Sequence, residues 1–299
     1  MRALTSTHIF DEVYEETYAH NTYSLAFVSQ HHRDLYKTIY DTAWKACYAL
    51  PEYLEKTGWR NLEDYNDCAF QYGYQTQLGM WEWMQEDPMR MKVFNSGMQS
   101  NANTSMQVEF PYPFVEKLNS EPIGSEEIVF VDVGGGRGQA LQRLKSSFPH
   151  LQGRLILQDQ EPVIRDAVAS GLPEYIIPQA HSFFTPNPIK GARAYYFRRV
   201  FHDWSDKASL EILKNVVCSM GPHSKILISD NILPDVGAHW SAALPDLRMM
   251  AIIAGMERTR KQWESLLTKA GLANVRFWQA ERSHFGIVEA KLAKSGEWR

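Results

Sequence analysis

The stretch Val131-Asp132-Val133-Gly134-Gly135-Gly136-Arg137-Gly138 decides the fold of this 299-residue chain. It follows the β-branched run that begins at Ile128, and it precedes a helical pattern of apolar residues at Ala140, Leu141 and Leu144. A glycine-rich turn between a strand and a helix is typical of nucleotide folds, because glycine can turn sharply and let a ligand approach the backbone closely. The stretch therefore predicts a ligand site at the end of a parallel strand, although such a turn can also merely close a β-α corner.

The spacing of these glycines narrows the choice of ligand. Gln139 stands where a dinucleotide fingerprint carries its third glycine, and no Gly-Lys pair follows as in a phosphate-binding loop. Asp159 ends the next predicted strand, where a carboxylate can accept hydrogen bonds from both ribose hydroxyls. These residues predict a nucleoside site without a phosphate cradle. S-adenosylmethionine is such a ligand, and we expect Asp132 to face its ammonium group directly or through water.

Strand and helix patterns alternate along the rest of the chain after this turn. Helical stripes occur at Leu210 to Val217 and at Trp263 to Ala270. The alternation predicts an α/β fold with a mostly parallel sheet. The predicted strands are Ile128 to Val131, Leu155 to Leu157, Ile176 to Ile177, Ala194 to Phe197, Ile226 to Ile228, Val275 to Trp278 and Phe285 to Val288.

Residues 1–105 differ in character and predict a separate helical domain, with the ligand-binding domain at 106–299. Apolar positions in this first part recur every three or four residues, which predicts one amphipathic helix face. The residues of that face are Tyr36, Ile39, Tyr40, Ala43 and Cys47. Small polar residues from Asn95 to Met106 predict a loop or hinge at the boundary.

Composition excludes several classes of protein. The chain has 31 Lys and Arg against 35 Asp and Glu, a net charge of −4, so it lacks the basic surface of a nucleic-acid-binding protein. The apolar stretch around Met249 to Met256 is far shorter than the ~20 residues that span a bilayer, so we expect no membrane segment. Cys47, Cys68 and Cys218 lack disulfide or zinc spacing, which predicts reduced, buried thiols in the cytoplasm.

A second cluster, Phe201 to Asp206, follows the fourth predicted strand, where residues line the ligand crevice of an α/β sheet. Its histidine, His202, is the candidate general base, because neutral imidazole accepts a proton near pH 7. A carboxylate on the other ring nitrogen would orient it, and the candidates are Glu257, Asp230 and Asp203. A lone histidine beside a tryptophan is also often structural. The other histidines show no ligand spacing, so no metal site is indicated.

These motifs resemble the class I S-adenosylmethionine-dependent O-methyltransferases of the plant caffeic-acid and fungal natural-product type. The resemblance runs from about Tyr36 to the end of the chain. It is carried by the glycine stretch, Leu157 to Asp159, Phe183 to Pro188, His202 to Trp204, and Met256 to Thr259 with Trp263.

The resemblance implies a Rossmann-like domain with a mixed, mostly parallel seven-stranded sheet, preceded by a helical dimerisation and substrate domain. It implies a homodimer and a small-molecule acceptor, with His202 as base. By the same resemblance Arg198 stands where the family has a basic residue, and Ser182 and Phe183 lie near the adenine. The implied cofactor-binding residues are Asp132, Gly134, Gly136, Asp159, Ser182, Phe183 and Arg198.

Three departures from the family pattern bear on these expectations. Ser182 stands where the family commonly has an acidic residue, and Asp230 where it often has Glu. The first 30 residues resemble only the tail of the family's winged-helix dimerisation module, so the N-terminus looks truncated. The leading hypothesis is methyl transfer to a hydroxyl of an aromatic or polyketide-like secondary metabolite. The alternatives are a pericyclase or dehydratase that keeps the cofactor, and an interaction subunit without turnover.

Overall fold

The structure of the chain is a computed structural model that describes residues 1–105, 112–118, 124, 126–281 and 283–293. Ten strands lie within these residues. They are β1 (Phe10–Tyr14), β2 (Thr17–His20), β3 (Ile128–Val133), β4 (Arg154–Asp159), β5 (Ile176–Ala180), β6 (Ala194–Arg198), β7 (Lys225–Leu233), β8 (Arg258–Thr259), β9 (Leu272–Gln279) and β10 (Phe285–Leu292).

Twelve α-helices lie in the same described ranges, together with a short 3-10 helix at Phe201–Asp203. They are α1 (Arg2–Ser6), α2 (Thr22–Ala26), α3 (Gln30–Thr57), α4 (Ala69–Tyr74), α5 (Met80–Gln85), α6 (Pro88–Ser105), α7 (Phe114–Leu118), α8 (Gln139–Ser147), α9 (Glu161–Ala169), α10 (Asp206–Val217), α11 (Trp240–Ile253) and α12 (Arg260–Lys269).

The C-terminal part is built on one mixed sheet in the order β5-β4-β3-β6-β7-β10-β9, and the two-residue strand β8 pairs with β7. Pairing is parallel from β5 to β7 and antiparallel on both sides of β10. The seven predicted strands and the mostly parallel α/β architecture are confirmed. Five of the six residues of β3 are buried, as expected of a parallel strand covered by helices on both faces.

The strand order predicts a ligand site between β3 and β6. The chain runs outward from β3 through β4 to β5, and then returns to the other side of β3 at β6. Ligands of open α/β sheets bind at such a reversal, outside the carboxyl ends of the strands. The glycine turn follows β3 and His202 follows β6, so both lie at this reversal.

The N-terminal part is mostly helical, as predicted, but two expectations are wrong. Residues 10–20 form an antiparallel hairpin, β1 with β2, instead of helix. The predicted loop over residues 95–105 is helical, since α6 continues to Ser105; Met106 lies outside the described residues. A Cβ at Gly97 would come within 2.8 Å of the Leu35 backbone. The helix continues there because a residue without a side chain lets α6 pack directly on α3.

Helix α3 has two apolar faces instead of the one predicted. Ala43 from the predicted face is buried, and so are Ala46, Leu50 and Tyr53. Tyr36 and Tyr40 of the predicted face are instead exposed to solvent. There they form an aromatic stripe with Trp44 and Tyr48 in which exposure ranges from 56% to 85%.

The cysteines differ from their predicted burial. All three are free thiols, but only Cys68 is buried, while Cys47 is half-buried and Cys218 is exposed at the end of α10. Cys218 caps the helix, and a cap residue at the surface need not be covered by the core. Within the described ranges, no helix has the length and apolar character that crossing a bilayer requires.

Candidate active site

The glycine turn after β3 is held by backbone hydrogen bonds and by close packing. Gly134 and Gly135 donate their N–H groups to the Gln158 carbonyl at 2.8 and 3.1 Å. Gly134 has φ +73° and Gly136 φ +60°, the left-handed conformation that favours glycine. A Cβ on Gly135 would lie 2.5 Å from Asp132 Cγ. Asp132 is fully buried and packs directly against the turn at Gly135.

Asp159 ends β4 and reaches the same turn. Its Oδ2 accepts the Gly136 N–H at 2.8 Å, and its Oδ1 accepts the Gln160 N–H at 2.7 Å. Burial raises the pKa of Asp159, while these two hydrogen bonds act in the opposite direction. Because an ionised carboxylate has about four acceptor positions, two remain for other donors. This half-buried carboxylate beside an open turn fits the ribose diol of a nucleoside.

The residues after β5 form an aromatic wall next to the turn. Phe183 lies near Gly134 and meets Trp204 edge to face, with ring centroids 5.9 Å apart. Ser182 is exposed, and its hydroxyl accepts the Phe184 N–H at 3.4 Å. This arrangement places a flat apolar surface beside the cofactor edge, as an adenine site requires.

Arg198 ends β6 at the same edge of the sheet and is half-buried. Its guanidinium lies 6.0 Å from the centre of the Phe285 ring on β10. The role of Arg198 in cofactor binding stays a prediction.

The 3-10 helix Phe201–Asp203 brings His202 between carboxylates from three parts of the chain. His202 Nδ1 lies 3.2 Å from Glu257 Oε1, and Nε2 lies 3.3 Å from Asp203 Oδ1. Asp230 Oδ2 on β7 accepts the backbone N–H of His202 at 3.3 Å. Of the three predicted orienting carboxylates, Glu257 and Asp203 contact the ring, whereas Asp230 holds the backbone.

This cluster of buried charges sets the protonation of His202. Burial alone would lower the pKa of His202, but the negative charges of Asp203, Asp230 and Glu257 raise it to about 9. Burial raises the pKa of Asp203 to about 6 against the opposing charge of His202. Burial and the charge of Glu257 also raise the pKa of Asp230, whereas the charge of His202 lowers that of Glu257.

These contacts favour the imidazolium form of His202. A neutral imidazole has one N–H, but both ring nitrogens of His202 face carboxylate oxygens. The expectation of a neutral imidazole near pH 7 stays a prediction, and the carboxylates act against it by raising the pKa of His202. Three carboxylates converge on this histidine, two of them far from it in sequence.

Two residues that support His202 were not predicted. A Cβ on Gly255 would lie 2.2 Å from the His202 carbonyl oxygen, so only glycine fits there. Arg258 is fully buried and donates to the carbonyls of Phe201 and Trp204, each at 2.8 Å. Arg258 stands beside Glu257 in the Met256 to Thr259 motif, which was the only signal in the sequence for its role.

His202, Asp230 and Glu257 each bring one potential ligand atom within 4.8 Å of the others. The sequence indicated no metal site, because the other histidines lack ligand spacing. Glu257 contacts Nδ1 of His202, and Asp230 accepts the backbone N–H of His202.

The N-terminal helices pack beside this cluster. Ser205, at the start of α10, donates its hydroxyl to the Glu63 carbonyl at 2.9 Å instead of capping the helix. The Tyr65 ring meets Trp204 edge to face, with centroids 5.1 Å apart. The aromatic residues Phe70, Tyr74 and Trp83 pack on one another in the helical core. The N-terminal part therefore contacts the His202 region through Glu63 and Tyr65.

Comparison with known proteins identifies the family. The sequence profile of the O-methyltransferase domain matches residues 59–273. O-methyltransferase GME11366 from Pestalotiopsis microspora is 41% identical over 98% of this chain and 72% of its own length. Demethylsterigmatocystin 6-O-methyltransferase from Aspergillus flavus is 33% identical over 91% of this chain and 69% of its own length.

Solved structures show the same fold. LepI in complex with SAM superposes with a TM-score of 0.88 at 29% identity, covering 98% of this chain and 75% of that one. OxaC in complex with sinefungin and meleagrin has a TM-score of 0.86 at 33% identity, with 98% and 74% covered. A structure described as a pericyclic reaction enzyme has a TM-score of 0.87 at 29% identity, with 98% and 75% covered. On the profile match and the 41% identity, this chain belongs to the O-methyltransferase family.

Proposed function

We propose that this protein transfers a methyl group from S-adenosylmethionine to a hydroxyl of a small aromatic or polyketide-like secondary metabolite. The observation that carries the proposal is His202, placed at the sheet reversal with Glu257 on one ring nitrogen and Asp203 on the other. The family relationship supports the reaction class, and fungal relatives named as methyltransferases support the metabolic setting.

S-adenosylmethionine is the cofactor, in agreement with the family and with the LepI complex. The glycine turn and Asp159 would hold its nucleoside, with Phe183 and Ser182 beside the adenine and Asp132 and Arg198 completing the site. When bound, it supplies an electrophilic methyl carbon attached to a positively charged sulfur. The residues of this chain supply alignment of the acceptor oxygen with that carbon, which accounts for much of the acceleration in such reactions.

His202 is the proposed base, with Glu257 and Asp230 positioning it. The Nε2 proton of the imidazolium is first lost to solvent, and the acceptor hydroxyl displaces Asp203 from the now neutral Nε2. The ring then takes the hydroxyl proton at Nε2 as the oxygen attacks the methyl carbon, with S-adenosylhomocysteine as the leaving group. The negative charges of Asp230 and Glu257 raise the pKa of His202 and so bring it closer to that of a phenol, about 10. Glu257 at Nδ1 and the buried Asp230 stabilise the imidazolium that forms.

A test of the reaction class is incubation of the purified protein with S-adenosylmethionine and a panel of phenolic and polyketide-like acceptors. Formation of S-adenosylhomocysteine together with a product heavier by one methylene supports methyl transfer. A rearranged or dehydrated product without S-adenosylhomocysteine contradicts it.

That second outcome corresponds to a specific alternative, a cofactor-binding pericyclase or dehydratase. The similarity to the structure described as a pericyclic reaction enzyme favours it. In such a reaction the sulfonium charge and the charged groups around His202 would stabilise a polarised substrate without methyl transfer. Failure to bind any cofactor in calorimetry would instead support an interaction subunit without turnover.

The proposal includes a cytoplasmic homodimer with a helical domain at 1–105 and a catalytic domain at 106–299. Free thiols at all three cysteines support a reducing compartment. The aromatic stripe on α3 supports a partner, since large exposed apolar patches usually belong to interfaces. Light scattering at micromolar concentration tests the assembly, and an active monomer would contradict it.

A further inference from the structure

A short stretch after α11, residues 255–258, lies against the 3-10 helix that carries His202, and we call it the clamp segment. Its Met256 N–H donates to the His202 carbonyl at 3.0 Å. Glu257 Oε1 lies 3.2 Å from His202 Nδ1. Arg258 donates to a carbonyl of the same 3-10 helix at 2.8 Å. The backbone and the ring of His202 are therefore held by one segment, whose position decides where the Glu257 carboxylate meets the imidazole.

Asp246, on α11, holds the clamp segment in place. Its Oδ1 accepts the Glu257 backbone N–H at 2.7 Å, at the short end of the range for such bonds. Burial raises the pKa of this half-buried carboxyl, the bond from the Glu257 N–H acts in the opposite direction, and the charge of Glu257 raises the pKa further. The backbone bond thus needs the acceptor oxygen of Asp246, whereas its negative charge is disfavoured by Glu257.

The turn between α11 and the clamp segment also depends on such contacts. Ala254 has φ +52°, the left-handed conformation that glycine usually supplies at the end of a helix. That conformation is unfavourable for a residue with a Cβ, so it persists where surrounding contacts hold it. A Cβ on Gly255 would lie 2.2 Å from the His202 carbonyl oxygen, which shows how closely the segment approaches the 3-10 helix. Asp246 joins the helix before this turn to Glu257 after it, and so resists opening of the turn.

We propose that Asp246 is a positioning residue for His202, which keeps the Glu257 carboxylate against His202 Nδ1 by accepting the Glu257 N–H. This inference rests on the proposed function, in which His202 is the base. Asp246 acts through Glu257, because it binds the Glu257 backbone while the Glu257 side chain contacts the ring. An amide oxygen can accept the same bond. Asparagine should therefore replace Asp246, whereas a side chain without an acceptor should not.

Substitutions at Asp246 separate the acceptor oxygen from the charge. Asp246→Ala and Asp246→Leu remove the acceptor, and we expect kcat to fall by about 10- to 100-fold, because a misplacement of about 1 Å can cost about 100-fold. The KM for S-adenosylmethionine should stay unchanged. Asp246→Asn keeps an acceptor and should retain most of the rate. Asp235→Ala removes an exposed carboxylate that accepts the Lys261 N–H at 3.1 Å, and it should leave kcat unchanged.

Three kinetic results overturn the inference. An equal fall in kcat for Asp246→Asn and Asp246→Ala would mean that the charge matters and not the acceptor. Wild-type kcat in Asp246→Ala and Asp246→Leu would mean that the bond does not position the base. A higher KM for S-adenosylmethionine with unchanged kcat would assign Asp246 to the cofactor. Retained S-adenosylhomocysteine affinity in calorimetry shows that a variant is folded, and Asp246→Leu, which keeps the branched shape, provides the test if alanine destabilises α11.

Protein labelled with an isotope at the histidine nitrogens provides a readout that needs no acceptor. Long-range proton–nitrogen correlation measures the Nδ1 shift of His202, which His202→Gln assigns by its loss, and Glu257→Ala defines the shift without the carboxylate. We expect the shift in Asp246→Ala to move toward that reference, and the shift in Asp246→Asn to stay near the wild-type value. A wild-type shift in Asp246→Ala overturns the inference even where methyl transfer is observed. If the shift depends on Asp246 while no acceptor yields S-adenosylhomocysteine from S-adenosylmethionine, the positioning role stands and the methyl-transfer proposal fails.

Discussion

The glycine turn and the His202 cluster line the same crevice but are built in different ways. At the turn, backbone N–H groups, left-handed glycines and the packing of Gly135 on Asp132 define the shape. At the cluster, four titratable side chains from three segments define the charge state of one imidazole. The first region is specified by local geometry, whereas the second depends on long-range folding. Substitutions should therefore affect cofactor binding in one region and catalytic rate in the other.

The largest expected effect is on catalytic rate. His202→Ala should lower kcat by about 10²- to 10⁴-fold, the range typical of a lost general base. Cofactor affinity in calorimetry should stay unchanged, because the turn does not depend on the imidazole. His223→Ala, at an exposed histidine, is the matched control. Methylation close to wild type in both His202→Ala and His202→Gln would show that the base is wrongly assigned.

The second expected effect is on cofactor affinity. Asp159→Ala should weaken S-adenosylmethionine binding by about 10- to 150-fold, since a hydrogen bond to a charged group contributes about 1.5–3 kcal/mol. The rate at saturating cofactor should change far less. Glu161→Ala, an exposed carboxylate nearby, provides the control in the same titration. Unchanged affinity, or a tighter complex with NAD, would contradict the nucleoside assignment of Asp159.

The third expected effect is on stability, at the glycine that touches Asp132. Gly135→Ala places a methyl group 2.5 Å from both Asp132 Cγ and Leu157 Cδ1, so the turn must shift. We expect the free energy of unfolding to fall by about 1–3 kcal/mol, the usual range for overpacking. Denaturant titration compares it with Gly221→Ala, where the nearest atom lies at an ordinary 3.4 Å. Equal stability of the two variants would refute the close packing.

The same contrast explains what the sequence could predict. Parallel strands buried on both faces appear as apolar runs, which made β3, β4, β6 and β7 predictable. Asp159 could be placed because it ends such a strand. The antiparallel strands β9 and β10 were predictable from their β-branched and aromatic residues, whereas the two-residue β8 was not. The β1–β2 hairpin was missed because four of the five residues in β1 are exposed and show no apolar alternation. The end of α6 was missed because its sequence is polar and its helix depends on contact with α3 at Gly97.

The catalytic cluster was predictable in membership but not in charge state. His202, Asp230 and Glu257 lie at recognisable positions, yet Glu257 is 55 residues from His202 along the chain. Whether a carboxylate faces Nδ1, Nε2 or the backbone depends on how β7 and the segment after α11 pack. The imidazolium state follows only once those distances are known, since a charge acts strongly on a pKa over a few ångströms. The close approach of Gly255 to the His202 carbonyl and the burial of Arg199 Nε depend on the same packing.

The smallest expected effect tests that charge state through pH. Deprotonation of His202 is needed before it can accept a proton, so kcat/KM should rise as pH increases through about 9. Asp203→Asn removes a negative charge that stabilises the imidazolium, which lowers the pKa of His202. The midpoint should therefore move to lower pH, by about one unit for a neighbouring charge.

The acceptor's own hydroxyl provides the competing explanation, because a phenol also titrates near this pH. A midpoint that stays fixed in Asp203→Asn but follows the pKa of different acceptors would assign the titration to the substrate. Asp235→Asn, at an exposed carboxylate beside Lys261, controls for a general change in surface charge. A downward shift in Asp203→Asn alone would place the titrating group at His202, because Asp203 lies 3.3 Å from its Nε2. The pH profile thus separates a base tuned by its carboxylates from a crevice that only binds an ionised acceptor.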